Sequence, residues 1–251
     1  AAVPVLAASC LAAFAKAPRR AGAWLGAAAA IVFLCFQYGP VFARGLGGRD
    51  PLYIPERAAG FLETERAAFK GKRLFNPWHW GGYLGWRFEG ELPVFVDGRY
   101  IFHDFLRPIY EATDSPQAYG AFLDAHGIEA AVISHQPQVI PMEVKRKDGT
   151  RLTLMRPFYV HFLPREQWAL VYWDSHALVF ARRGAFEPAW VRAREYRWFR
   201  PDDLAAAALA VAEGAAPFAA LAAETDRWAQ GAEARQARAA RAWLAGVARG
   251  P

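Results

Sequence analysis

The stretch Asn76-Pro77-Trp78-His79-Trp80-Gly81-Gly82-Tyr83 sets Trp, His, Trp and Tyr around two adjacent glycines. Flat rings of this kind offer stacking surfaces to a sugar or a peptide. Gly81 and Gly82 would let backbone amides approach a ligand at a helix N-terminus. The same aromatics would serve equally well to seat the protein on a bilayer, because Trp and Tyr settle at the headgroup level. Both readings are open from sequence. Downstream, Asp97-Gly98-Arg99 closes an apolar run. Its carboxylate and guanidinium either hold each other in a structural ion pair or face a polar ligand. The candidate substrate contacts are therefore Trp78, His79, Trp80, Tyr83, Asp97 and Arg99.

Other chemistries find less support. His79, Asp97, His103 and Asp104 are types that suit several divalent ions, but their spacing matches no ligand pattern, so no metal is assigned. His126, His135, His161 and His176 are scattered and take surface or packing roles. Ser134-His135 and Ser175-His176 are sequence neighbours. Adjacent side chains on a strand point to opposite faces, so neither couple is expected to transfer a proton. The chain has no G-x-S-x-G elbow, no phosphate loop and no G-x-G-x-x-G. No catalytic residue is assigned.

The elements that must position these residues follow from periodicity. Residues 43–57 are rich in Gly, Pro and charge and read as a juxtamembrane linker. From Pro55 to Phe69, Ala59, Leu62, Arg66 and Phe69 fall at helical spacing. Arg73 to Asn76 reads as a short strand stopped by Pro77, and Leu92 to Val96 as a second. The pattern turns helical between Tyr100 and Ala125, with Gly127 placed as a C-cap. Ile128 to Ser134 is a further buried strand. Continuous apolar strands alternating with helices predict a small, mostly parallel sheet covered by helices. Trp168 to Trp173 and Ala177 to Ala181, joined by Asp174-Ser175-His176, predict a C-terminal antiparallel hairpin. Lys147-Asp148-Gly149 marks a turn in an inserted hairpin within 137–164. From Pro201 the chain is Ala-rich and helical, with breaks at Gly214 to Pro217 and near Gly231.

The N-terminal end predicts a membrane. Ala21 to Tyr38 holds no charged residue and follows Lys16, Arg19 and Arg20. Extended through Phe42, it reaches the roughly 20 apolar residues that a spanning helix needs. A second apolar run, Ala1 to Ala15, lies on the other side of the basic cluster. Basic loops stay cytoplasmic, so everything after Phe42 is expected outside, in the periplasm if the source is bacterial. A secretory leader and a pair of buried core helices are the competing readings. The chain starts inside an apolar run without a Met, and we read it as the C-terminal part of a longer polytopic protein. The expected divisions are 1–42 for transmembrane helices, 43–72 for linker and helix, 73–186 for a periplasmic α/β domain and 187–251 for a helical tail. Cys10 and Cys35 both lie in the apolar segments, so no disulfide or cysteine metal site is expected in the exported part. The net charge of +6 comes largely from the basic loop and from scattered arginines after Arg182. It points to anionic lipid or a phosphate-bearing lipid carrier, and no nucleic-acid partner is expected.

Taken together, WHWGGYLGWRF, VFVDGRYIFHDF, IEAAVIS and WALVYWDSHALVFARR resemble the exported C-terminal domain of bacterial multi-spanning glycosyltransferases of the GT-C superfamily. The match spans roughly Leu74 to Arg183. More distantly, the chain resembles the oligosaccharyltransferase catalytic subunit, whose soluble domain opens with a W-W-D-Y-G motif. Trp78 stands at its second Trp, Trp80 at its Tyr and Gly81 at its Gly. Pro77 replaces the first Trp and His79 replaces the Asp, which removes the acidic acceptor that reads a Ser or Thr hydroxyl. What carries over is a scaffold and an aromatic shelf.

The resemblance implies glycosyl transfer from a polyprenyl-phosphate sugar to a glycan, lipid or protein acceptor at the bacterial inner membrane. The catalytic carboxylates, and any divalent metal, would belong to the N-terminal half that this chain lacks. On that view the exported domain assists acceptor binding and is not itself catalytic. The alternative is a non-catalytic envelope protein whose domain and helical tail bind a protein partner.

Overall fold

A computed structural model describes residues 28–34, 54–98 and 103–249. The chain divides into two compact units, Ala1–Asp50 and Pro51–Pro251. In the first, residues 28–34 are helical and expose Ile31, Val32, Phe33 and Leu34. The spanning helix expected over 21–42 otherwise lies outside the described residues, as do the basic loop and both cysteines. Among the described residues no helix is long and apolar enough to cross a membrane.

The second unit is a mixed α/β domain. Helix α1 (Glu56–Thr64) and the short α2 (Arg66–Phe69) come from the predicted helical stretch. Of its four marker positions, Ala59, Leu62 and Phe69 are buried. Arg66 is exposed and pairs with Glu91. Strand β1 (Leu74–Phe75) follows, and helix α3 (Trp78–Arg87) begins directly after Pro77. Next come α4 (His103–Ala112) and α5 (Pro116–Ala125). Ser115 caps α5 by accepting from the Ala118 amide at 3.1 Å, with Pro116 at the first helical position. Gly127, at φ +60°, ends that helix as expected, and the Ile128 amide donates back to Leu123 O at 2.9 Å.

Strands β2 (Ala130–Ser134), β5 (Trp168–Trp173) and β6 (Ala177–Arg182) complete the main sheet with β1, in the order β1-β2-β6-β5. β1 runs parallel to β2, and Val94 adds a single parallel bridge to Leu74. β6 is antiparallel to both β2 and β5. The sheet is therefore mixed where a mostly parallel one was expected. The predicted β5–β6 hairpin forms, but β6 inserts between β5 and β2 and reverses the direction at the sheet centre. Of the expected strand at Leu92 to Val96, only the Val94 bridge is present.

Alternation along the buried strands serves two cores, one on each face of the sheet. Ala130 and Val132 meet α1, α3 and α7 (Pro188–Arg194) through Leu62, Trp80, Leu84 and Val191. Ala131 and Ile133 meet α5 and α6 (Tyr159–Phe162) through Tyr119, Leu123 and Tyr159. Burial on both sides explains why these strands read as continuous apolar runs.

Between β2 and β5 lies a separate two-stranded sheet, β3 (Val139–Lys145) paired antiparallel with β4 (Arg151–Pro157). Its turn is the predicted one: Gly149 takes φ +86° and Asp148 accepts from the Thr150 amide at 2.9 Å. The Ala-rich C-terminus forms α8 (Leu204–Ala212), α9 (Phe218–Gly231) and α10 (Ala234–Ala248), with breaks where the glycines and Pro217 predict them.

The C-terminal helices are tied to the sheet by aromatic stacking and to the segment 198–199 by one buried acid. Trp228 of α9 stacks on Trp173 of β5, with centroids 4.5 Å apart and planes 18° apart. Glu224 is buried, and one of its oxygens accepts from the amides of both Trp198 and Phe199 at 2.8 Å. Burial nevertheless wins over these bonds and raises the Glu224 carboxyl above its ordinary value. The folded state thus holds this proton more tightly than the unfolded chain does. Stability should decline as pH rises from the unfolded value, about 4.3, through the higher folded one. Glu224→Gln keeps an acceptor for both amides and carries no charge. Its stability relative to wild type should therefore climb across that window and level off above it. Urea unfolding at a series of pH values checks this; a constant difference would show that Glu224 ionises in the fold without cost.

Candidate functional site

The aromatic motif becomes helix α3, and its placement depends on Asn76. This residue is fully buried at the end of β1. Its Nδ2 donates to Val96 O at 2.7 Å and to Pro77 O at 3.0 Å, while its Oδ1 accepts from the Phe95 amide at 2.8 Å. One side chain thereby satisfies backbone groups of the 95–96 segment, which has no strand ladder to do so. Gly81, one turn into α3, faces that same segment. A Cβ there would sit 1.9 Å from Val96 O and 2.5 Å from Asp97 Cα, whereas one at Gly82 would meet nothing. The glycine pair therefore divides its work. Gly81 allows helix and loop backbones to touch, and Gly82 lies on the exposed side.

Helical phase sorts the remaining candidates. Trp80, 3% exposed, and Leu84 point into the core. Trp80 is a packing residue rather than an open stacking surface, and its Nε1 has no hydrogen-bond partner among the described residues. Tyr83 donates its hydroxyl to the Glu56 carboxylate, pinning α3 to α1. Arg87 reinforces this by pairing with Glu63 at 2.7 Å and Glu56 at 3.6 Å. Trp78 is 42% exposed, and His79 is exposed beside it. Asp97 is buried, engaged with neighbouring groups, and held against α3 through Gly81. Arg99 lies outside the described residues, as does the side chain of His103, so the proposed Asp97–Arg99 pair does too. Trp86, 65% exposed, was not among the candidates. Its signal was available: Trp78, Gly82 and Trp86 recur every four residues and share one face of a helix.

Among the described residues no three His, Cys, Asp or Glu side chains are placed to hold a metal ion. Ser175 Oγ does approach His176 Nδ1, at 2.9 Å, contrary to the strand-alternation argument. The two residues sit in the β5–β6 turn, where alternation does not apply. The nearby Asp174 is committed to the turn itself: its Oδ1 accepts from the His176 and Ala177 amides, and its Oδ2 from the Tyr172 hydroxyl. His135 instead bridges Asp174 O at 3.0 Å and Asp202 Oδ2 at 2.8 Å. No known protein family, curated protein or solved structure matches this chain.

Two outcomes follow from this division of α3. Trp80→Ala should cost about 3–5 kcal/mol, whereas Trp78→Ala should stay within about 0.5 kcal/mol of wild type. Comparing their unfolding midpoints tests it; equal losses would mean that Trp78 is also a core residue. Partial burial lowers the affinity of His79 for its proton. In an NMR titration its ring should therefore change state at a pH below the ordinary histidine value of about 6.5, and a midpoint above that value would require an unseen anionic neighbour.

Proposed function

We propose that the chain is the C-terminal part of an integral membrane GT-C-like glycosyltransferase that uses a polyprenyl-phosphate sugar. Its helices before residue 43 would span the bacterial inner membrane, and the α/β domain would stand in the periplasm and help to bind the acceptor. The supporting observation is the two-faced construction of α3. One face, with Trp80, Gly81 and Leu84, is locked into the domain. The other presents Trp78, His79 and Trp86 to solvent at the carboxyl end of β1. Ligands gather at that end of strands in open α/β sheets. Rigid aromatic rings also bind with little loss of conformational freedom. The arrangement suits stacking and hydrogen bonding to a polar acceptor. Bond cleavage would belong, as the resemblance to GT-C enzymes implies, to the N-terminal half.

Apolar positions of the helical tail favour this reading over partner docking. Leu221 is fully buried, and Trp228, Trp243 and Leu244 pack with it around Phe199. These residues cover the domain itself. The decisive experiment supplies membranes containing the full-length protein with labelled polyprenyl-phosphate sugar. It compares wild type with a Trp78→Ala, Trp86→Ala double variant, both positions being exposed. Transfer should fall about tenfold at unchanged protein level, the loss expected for two stacking contacts. Undiminished transfer would remove this face from the acceptor site. A wild type inert toward every donor in a broad panel would leave the partner-binding reading in its place.

A further inference from the structure

A cavity of about 680 Å³ opens between the β3–β4 hairpin, the segment 197–203 and helix α8. The hairpin contributes Met142, Val144 and Leu154, which alternate with exposed positions along β3 and β4. Helix α8 contributes Leu209 and the small side chains Ala206, Ala207 and Ala210, which leave the space that larger residues would fill. One wall of the cavity is thus apolar.

The other wall is cationic. Lys145, Arg156, Arg165, Arg197 and Arg200 line the cavity against three carboxylates, Glu166, Asp203 and Glu213. Each carboxylate already has a partner. Asp203 takes Arg156 in a two-point pair, Nε to Oδ1 at 2.8 Å and Nη2 to Oδ2 at 2.5 Å. Glu213 accepts from Arg146 Nε at 2.9 Å, and Glu166 lies 3.6 Å from Arg165. That leaves Lys145, Arg197 and Arg200 with no carboxylate among the described residues.

Arg200 is the informative one. It is 2% exposed, its Nε donates to Tyr196 O at 3.0 Å, and its Nη2 has no hydrogen-bond partner among the described residues. Guanidinium stays charged in proteins, so this is a buried cation with an unanswered donor. Such a group ordinarily costs several kcal/mol unless a counter-charge meets it. The neighbouring acids Glu195 and Asp203 favour the charge but do not bond to it: Asp203 is held by Arg156, and Glu195 by Arg183. Burial accordingly pushes Arg200 down from its ordinary proton affinity, and a bound anion would reverse that.

We propose that this cavity binds an amphiphilic oxyanion, with a phosphate or carboxylate head on Arg200, flanked by Lys145 and Arg197, and an apolar body along Met142, Val144, Leu154 and the alanines of α8. A planar guanidinium fork suits both heads, and the two sources of the head are told apart by titration. The site is separate from the aromatic face of α3 and does not depend on glycosyl transfer.

The test titrates the full chain, held in zwitterionic nanodiscs, with octyl phosphate, octanoate, inorganic phosphate and neutral octyl glucoside. Empty discs provide the blank. One or both amphiphilic anions should bind with one-to-one stoichiometry, and whichever binds more tightly identifies the head. Inorganic phosphate should bind at least about tenfold more weakly, because it leaves the apolar wall unused. Arg200→Met should weaken the anion about tenfold or more, the loss of a charge-assisted bond. If that variant does not fold, the Lys145→Ala, Arg197→Ala double variant decides, both positions being exposed, with a loss of at least about threefold. Failure of both amphiphilic anions to bind, equal binding of octyl glucoside, equal binding of inorganic phosphate, or indifference to the decisive variant would each overturn the proposal.

Discussion

The close approach of helix α3 to the 94–97 segment is the constraint from which the rest of the candidate site follows. Strand β1 is only two residues long, and its neighbour at Val94 is a single bridge, so a ladder cannot hold this edge of the sheet. Asn76 replaces the ladder with three hydrogen bonds to backbone groups from a fully buried position. Gly81 then lets the helix backbone rest on Val96 and Asp97, where any Cβ would overlap the carbonyl. Fixing these two contacts fixes the rotation of α3. That rotation decides which rings are buried and which are displayed: Trp80 and Leu84 go inward, Trp78 and Trp86 outward. A side chain added at Gly81 would change the display without touching it.

Much of the fold was legible because local chemistry and tertiary structure agree. Ala130 to Ile133 and Trp168 to Trp173 are apolar without interruption because both faces of the sheet are covered. The turns at Asp148-Gly149 and Asp174-Ser175-His176 announce themselves by residue type. Strand order was not legible. A hairpin signal says that β5 and β6 pair, but not which of them meets β2, and the answer decides whether the sheet is parallel. The site was legible as a composition and not as a face. Trp80 and Trp78 look alike in sequence and differ in burial because of helical phase, which is fixed by the contact of Gly81 with Val96 and Asp97. The Ser175–His176 contact escaped because the alternation rule was applied to a turn. The basic cavity had no local signature, since it joins residues from Met142 to Ala215 that become neighbours only when the hairpin and α8 fold over the 197–203 segment.

The region after β6 shows how buried charges are reconciled in this domain, and the cases differ in an instructive way. Arg227 spends Nη1 and Nη2 on the carbonyls of Ala193, Arg194 and Glu195, leaves its Nε without an acceptor among the described residues, and lies 4.4 Å over the Tyr196 ring. Glu224 receives two amides on one oxygen. Arg156 and Asp203 answer each other. In each case the charge joins segments that are distant in sequence, so it contributes to assembly and not only to solubility. Arg183 and Glu195 do the same between β6 and the segment that follows α7.

Arg200 breaks the pattern. It is as deeply buried as any of these groups, yet among the described residues only its Nε has an acceptor, and the neighbouring acids Glu195 and Asp203 are bonded to other arginines. If Arg200 served only to fill space, a Met or Leu would do so without desolvating a cation, because well-packed apolar residues commonly replace buried charges at no loss. If it served only to bind Tyr196 O, a neutral donor would suffice. What a guanidinium adds over both is charge with several directed donors, and its unused donor belongs to a residue on the wall of an open cavity. The opposite wall is apolar, and its alanines keep the space from closing. A charge kept unpaired beside a space kept unfilled is what a site for a charged, partly apolar guest requires.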